Sequence, residues 1–214
     1  KNRDGYDRNG DEFTDIARLR SETVGFRSYY KTSAHSRLTA EYHHIHEFRR
    51  GGDNFEEAPH MAMLCEQLDH NIDGGGLRFD LFPNMRHRAS AYASAQGISR
   101  SSYFGADMNP NAYGTTRDFT FVGGAQYTLG YKAGLPSELT VGAEYNLNDL
   151  DDTYMATERH LKQKTATYGL FAQNEWKSEK INILVGFRLD KHNMVDRPIF
   201  APRANIRYSP IENI

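Results

Sequence analysis

Strict alternation of apolar and polar residues is the feature that most narrows the folds open to this chain. In the stretch ELTVGAEYNLND, Leu139, Val141, Ala143, Tyr145 and Leu147 alternate with Thr140, Gly142, Glu144, Asn146 and Asn148. A period of two puts all five apolar side chains on one face of a strand. The pattern recurs where Ile181, Ile183, Val185, Phe187 and Leu189 oppose Asn182, Gly186, Arg188 and Asp190. It recurs again where Leu38, Ala40, Tyr42 and Phe48 oppose Arg37, Thr39, Glu41, Glu47 and Arg49. Shorter versions set Leu77, Phe79 and Leu81 against Arg78 and Asp80, and Pro202, Ala204, Ile206 and Tyr208 against Arg203, Asn205 and Arg207. In RASAYASAQ one face is alanine throughout, at 89, 91, 93 and 95. These segments predict an all-β fold: an antiparallel up-and-down meander of about nine long strands, most of them about nine to thirteen residues.

The connections alternate as strictly as the strands. Tight links are expected near residues 31–36, 83–87, 133–137 and 177–180; longer polar ones near 1–17, 50–70, 101–117, 149–164 and 191–199. A meander with tight turns at one end and long loops at the other is the plan of a transmembrane β-barrel, with short periplasmic turns and longer outer loops. A soluble sandwich has no reason to keep that rhythm, and its strands usually run to five or six residues. Composition fits the same reading. Mean hydropathy is −0.73 and only 38% of residues are hydrophobic, yet there are 13 Tyr and 12 Phe. Mid-strand charges such as Glu144, Arg188, Arg203 and Arg207 would be costly in a dry core and cost little in a wet lumen. Tyr29, Tyr30, Phe48, Phe82, Tyr131, Trp176 and Tyr208 stand near strand ends, where aromatic girdles are expected. A run of about 18 apolar residues, the length a membrane helix needs, does not occur, but barrel strands need none.

Other classes are disfavoured. A formal charge of −2 gives no electrostatic case for nucleic acid. The single Cys65 allows no internal disulfide framework and reads as a buried or idle thiol. Enzyme motifs are missing: there is no G-x-S-x-G elbow, and GGGLRFD and VGGAQY are glycines within strands, not phosphate loops ahead of a helix.

The final third carries a resemblance. YGLFAQNEWKSEKINILVGFRLDKH followed by FAPRANIRYSPIENI resembles the barrel of a TonB-dependent outer-membrane receptor. The matching positions are Phe171, Gln173, Asn174, Glu175 and Trp176 before a tight turn, then Gly186, Arg188 and Asp190, then Pro202, Arg203, Ile206, Arg207, Tyr208 and Pro210. HEFRRGGD (His46 to Asp53) is similar to a strand-to-loop junction in siderophore- and cobalamin-type members. The resemblance implies a barrel closed by about 22 strands around a plug domain, so residues 1–214 are expected to form a partial barrel domain, a fragment without the plug. It also implies a Gram-negative outer-membrane location, a TonB complex as partner, outer-membrane lipid on the apolar face, and a metal-chelate nutrient such as a ferric siderophore, cobalamin or haem as cargo. No covalent chemistry and no required cofactor follow from it. By the same analogy Glu47, Arg49, Arg78, Asp80, Arg188, Asp190, Arg203 and Arg207 would face the lumen and hold water or contact the plug. Residues 50–70 and 101–117 are the candidate ligand loops. The substrate-binding residues themselves are not readable. The other class kept open is a secreted soluble all-β glycan-binding module using surface Tyr and Trp as stacking platforms.

Two constellations suggest metals. In DRNGDEFTD, Asp7, Asn9, Asp11 and Asp15 are spaced like the oxygen ligands of a calcium loop, so calcium is a possible ligand there. Glu12 and Arg18 stand where such a loop wants Gly and Glu, which favours a plain acidic loop. His44 and His46 share a strand face at chelating spacing, while His43 faces the lumen side; an outward position in the interfacial girdle is the expected role of the first two.

Overall fold

A computed structural model describes residues 1–209 of the chain. One ten-stranded sheet runs in strict sequence order with every neighbour antiparallel. A two-residue strand β1 (Asn2–Arg3) is followed by nine long ones: β2 (Arg18–Ser33), β3 (Ser36–Gly52), β4 (Leu64–Asn84), β5 (His87–Ala106), β6 (Tyr113–Ala133), β7 (Leu135–Tyr154), β8 (Arg159–Lys177), β9 (Ile181–His192) and β10 (Ile199–Tyr208). Among the described residues β1 and β10 each pair on one side only. The expected meander and its alternating connections are present. Seven of the nine long strands, at 16 to 21 residues, are longer than the alternation predicts, while β9 and β10, at 12 and 10, match it. Much of what reads as loop, including residues 64–70, 113–117 and 149–154, continues the ladder.

Register explains both the face and the length. Leu77 pairs with Ala40 and Ala93, Ala93 with Gly123, and Gly123 with Tyr145, so one face carries the apolar set without a break. Below that line lie Phe79, Ala91, Ala125, Ala143, Leu170, Leu189 and Phe200, again paired in sequence. This belt covers about the nine to eleven residues per strand that a tilted strand needs to cross hydrocarbon. Its side chains are exposed, Leu77 at 57%, Leu170 at 58% and Ile206 at 71%. A soluble sheet would bury such a face; here the surroundings that suit it are lipid tails. Between β2 and β10 every pair of neighbours is joined by a continuous ladder, as hydrocarbon demands of backbone groups within it.

Toward the long loops the same face turns polar while pairing continues. Tyr42 Oη donates to Asp73 at 2.7 Å, His44 Nδ1 meets the same carboxylate at 2.8 Å, and His46 Nε2 lies 3.0 Å from Asp69. On the next strands Lys164 pairs with Asp149 at 3.4 Å and Lys162 with Asp151 at 3.2 Å. Above Tyr42 these rows stand in water; alternation marks their β3 members His44 and His46 as strand, while their partners at Asp69, Asp149, Asp151, Lys162 and Lys164 read as loop. His44 and His46 therefore sit above the interfacial girdle. The girdle itself includes Phe26 against Tyr42 at 6.2 Å, Phe121 against Tyr145 at 6.2 Å, and Tyr145 against Tyr168 at 4.8 Å between ring centroids. At the tight-turn end Tyr131, Trp176 and Tyr208 take the expected places. Tyr29 does not: paired with Thr39, it points to the polar side under the Arg37 guanidinium, 5.9 Å from its ring. Phe48, opposite Asp69 and Arg20, lies above the belt.

Substituting Ala143→Arg in mid-belt is expected to cost about 2–4 kcal/mol when unfolding is followed by urea titration from phospholipid vesicles. Gln126→Arg on the opposite face should cost well under half of that. Equal costs would mean that the two faces meet the same medium.

Candidate functional site

Two regions gather polar chemistry: the long-loop end and the polar face of the sheet. The polar face is assembled by register. Glu144 of β7 pairs with Gly169 of β8, and Gly169 with Asp190 of β9. Tyr92 Oη donates to Glu144 Oε2 at 2.6 Å, Asn146 Nδ2 to Oε1 at 3.0 Å, and Arg188 Nη2 to Oε1 at 3.0 Å. Arg188 Nε also donates to Asp190 at 2.8 and 2.9 Å. Gly169 makes this possible, because a Cβ there would sit 2.5 Å from Arg188 Nη2 and 2.6 Å from Asp190 Oδ1. Of the residues singled out on this face, Arg188 and Asp190 join that network, Arg78 binds Asp80 at 2.8 Å, and Arg49 binds Glu47 at 2.7 Å. Arg203 and Arg207 share the face on β10 and have no carboxylate within 4.0 Å among the described residues. All eight lie opposite the apolar belt; Pro210 falls outside the described residues.

At the other end, the two segments expected to hold ligand pack on each other. Residues 53–63 leave β3 at Gly52, whose φ of +109° and close approach to Leu64 (a Cβ would meet its carbonyl oxygen at 1.9 Å) admit no side chain. The Asp53 carboxylate then accepts from Leu64 N at 2.9 Å and Met63 N at 3.1 Å, closing the loop. A 3-10 turn, Pro59–Met61, follows the Arg50 guanidinium, which donates to the carbonyls of Asn54 and Glu57 at 2.9 Å each. The second loop, 107–112, is stitched to the first: Asp107 N donates to Met63 O at 2.8 Å and Met108 N to Ala62 O at 3.2 Å. Between them lies the sheet's small dry core, Ala62, Cys65, Tyr103 and Ala112, with Tyr113 against it. Tyr103 is fully buried and its hydroxyl donates to Asn109 O at 2.9 Å. His60 Nδ1 lies 2.8 Å from Tyr113 Oη and Tyr154 Oη donates to Phe104 O at 2.7 Å, adding β6 and β7 to the cap. Burial pushes the Cys65 thiol up from its ordinary range, so it is a closed packing group.

The outer surface of that cap is apolar. On the joined loops Met61, Met63 and Met108 are 48–51% exposed, while Leu64 and Phe104, at 49% and 42%, lie on the sheet face opposite Cys65 and Tyr103. Sequence patterning gives no hint of this exposed surface, since its loop members come from two segments that meet through backbone bonds, Asp107 N to Met63 O and Met108 N to Ala62 O. Nearby, Asp152 is a charge node. Thr116 Oγ1 donates to it at 2.6 Å, Arg159 at 2.6 Å, and Arg100 stands at 3.5 Å, so its carboxyl is held below the ordinary aspartate value.

The Asp7–Asp15 loop satisfies itself. The Asp7 carboxylate accepts from Gly10 N at 2.7 Å and Glu12 N at 2.9 Å, Asp15 from Arg8 N at 2.8 Å, and Asp11 from Phe13 N at 3.0 Å. Among the described residues no group of three or more His, Cys, Asp or Glu side chains converges as metal ligands would. His43 lies on the polar face with its ring over Gly74.

With sheet and loops in place, comparison with known proteins gives the class. The family model of TonB dependent receptor-like β-barrels matches residues 1–214, and the chain belongs to that family. Its barrel is an outer-membrane structure of Gram-negative bacteria. No curated protein matches. Among solved structures, the siderophore receptor PirA from Acinetobacter baumannii superposes with a TM-score of 0.74 at 12% identity, over 95% of this chain and 33% of that one. PirA from Pseudomonas aeruginosa gives 0.71 at 16% identity, over 94% and 32%. The ferric enterobactin receptor PfeA of the same organism, in a mutant form, gives 0.71 at 14% identity, over 97% and 34%. The chain thus spans about a third of the length of these structural relatives. Membership removes the soluble glycan-module alternative.

Two outcomes test the cap. Thiol reagents should label Cys65 slowly in the folded protein, and Gly52→Ala, costing about 1–3 kcal/mol of backbone strain, should speed labelling at least tenfold as the clasp opens. For Asp152 the folded pKa lies below the unfolded one, so its contribution is complete above the unfolded value, near 3.9, and is lost as pH falls through the folded value. Asp152→Asn should abolish that acid-range loss, seen as hydrogen exchange of β6–β7 amides at their loop ends.

Proposed function

We propose that the parent protein is a TonB-dependent receptor that captures a scarce metal-chelate nutrient at its outer loops and passes it inward through the barrel. A plug domain of the same parent chain would close the bore, and a TonB complex would supply the work of moving it. Support comes from family membership over the full chain and from structural neighbours that are themselves siderophore and ferric enterobactin receptors. The observation that carries the binding end of this reading is the prefolded cap. Residues 53–63 and 107–112 are fixed to each other before any ligand arrives, and they expose methionine and aromatic surface there. Pre-ordered loops lose little entropy on binding, and thioether side chains adapt to irregular apolar ligands.

A ferric siderophore is the first candidate cargo, with cobalamin and haem as the other members of the chelate class. The test uses the full parent receptor. Met63→Lys and Met108→Lys together should weaken binding of its chelate, scored by fluorescence quenching across a panel of ferric siderophores, cobalamin and haem, by at least tenfold. The amount of receptor in the outer membrane should not change. Unaltered affinity in a normally inserted double variant would remove the cap from the binding site.

A further inference from the structure

The lipid-facing side of the sheet carries a charge pattern of its own where it rises out of the belt. Over β2–β4 the outward rows hold Glu22, Asp69 and Asp73 against Arg20, with His44 and His46 among them. Over β6–β9 the same rows reverse the balance, with Arg117, Lys162, Lys164 and Lys191 against Asp149 and Asp151. Between the two sectors β5 turns only Gly97, Ser99 and Ser101 outward at that height. The Lys162 and Lys164 side chains are 70% and 65% exposed, and their carboxylates stand off at 3.2 and 3.4 Å. Pairs that solvated bind weakly, so both ammonium groups are free to take another anion. Arg117 faces Asp151 in the register, but that carboxylate already serves Lys162 and His160, the latter at 3.1 Å. Lys191 donates to neutral groups, the carbonyls of Val195 at 2.6 Å and Asp196 at 3.1 Å.

Below these cations the Tyr145 and Tyr168 rings sit 4.8 Å apart, and below the rings the belt is dented. A groove of about 750 Å³ opens there on the lipid side, where Ala125 and Ala143 leave room between Phe79, Tyr127, Leu170 and Phe187. Lys164 and Leu170 share the outward face of β8, and the six residues between them span about 20 Å of strand. At a tilt of about 45° that is a descent of roughly 14 Å, one leaflet of a hydrocarbon core about 30 Å thick. Cations at the leaflet's edge, rings beneath them and a groove one leaflet down match the parts of a single anionic lipid. A soluble anion would leave the groove unused, and a neutral lipid would leave the cations unused. We infer that the outward face of β6–β9 docks a phosphate-bearing lipid of the outer leaflet. Its phosphate lies on Arg117, Lys162 and Lys164 and one acyl chain lies in the groove. The acidic β2–β4 sector repels the same headgroup, so the lipid is held on one side of this sheet only.

The test uses the full-length parent protein, purified in a neutral detergent. It is titrated with a bis-phosphorylated glycolipid and with the dephosphorylated form of the same molecule, and bound lipid is counted by native mass spectrometry. The native protein should bind the phosphorylated form at least tenfold more tightly. Arg117→Gln, Lys162→Gln and Lys164→Gln together should erase that preference, while Arg20→Gln in the acidic sector should keep it. Ala125→Phe, which fills the groove, should weaken both forms at least threefold and leave the preference intact. Inorganic phosphate in large excess should not displace the lipid, because it has no chain to place in the groove. Equal affinity of the native protein for the two forms overturns the inference, and that comparison stands even where a variant fails to insert. A preference that survives in the triple variant, or displacement by inorganic phosphate, overturns it as well.

Discussion

The structure depends on an unbroken hydrogen-bonded register across the sheet. Facing pairs run without a slip from Phe26 and Tyr42 on β2 and β3 to Leu189 and Phe200 on β9 and β10, and the two irregularities, Lys31/Ser33 and Leu81/Asn84, fall at tight turns. One inserted residue inside the belt would turn every later apolar side chain of that strand inward and every charge outward. In lipid that error is severe, since arginines such as Arg188 would meet hydrocarbon. Placing the bulges at the turns lets the chain reverse without touching the pattern between.

How much of this could be read beforehand follows from the same constraint. Wherever one face meets lipid and the other water, alternation is forced, and so Leu139–Leu147 and Ile181–Leu189 were legible as strands with their faces correctly assigned. Where both faces meet water the pattern carries no signal. The ladder past His44, Asp73, Asp149 and Lys164 is as regular as below them, yet its outward residues are polar, and the segments read as loop. Aromatic residues misled for a related reason. Tyr29 and Tyr30 are equivalent in composition and adjacent in sequence, but pairing with Thr39 and Leu38 sends one to each side.

The cap was invisible for a different reason. Its contacts join residues 53–63 to residues 107–112 through backbone groups, and no side-chain pattern encodes those. The local signals, Gly51-Gly52 followed by Asp53, mark a sharp exit from β3 but not where the loop will land. Burial of Tyr103 and Cys65 then follows from that landing. Tyr103 could not be told from an ordinary loop-end residue in the sequence alone, whereas Cys65 was expected as a buried or idle thiol and is buried.

The two ends of the sheet solve opposite problems. At the loop end, apolar groups collapse into a small core that joins the loops, and surplus apolar surface stays exposed around it. At the tight-turn end the described residues form no such core, and the polar wall is held by carboxylates of which Asp80 and Glu138 each serve two cations. Asp80 is the limiting case: nearly buried, it accepts from both Arg37 and Arg78. A wall built this way is rigid but keeps residual positive charge, because its carboxylates are already committed. The loop end is thus fixed by apolar packing and the tight-turn wall by carboxylates shared between cations, which leaves that wall with more cations than acids.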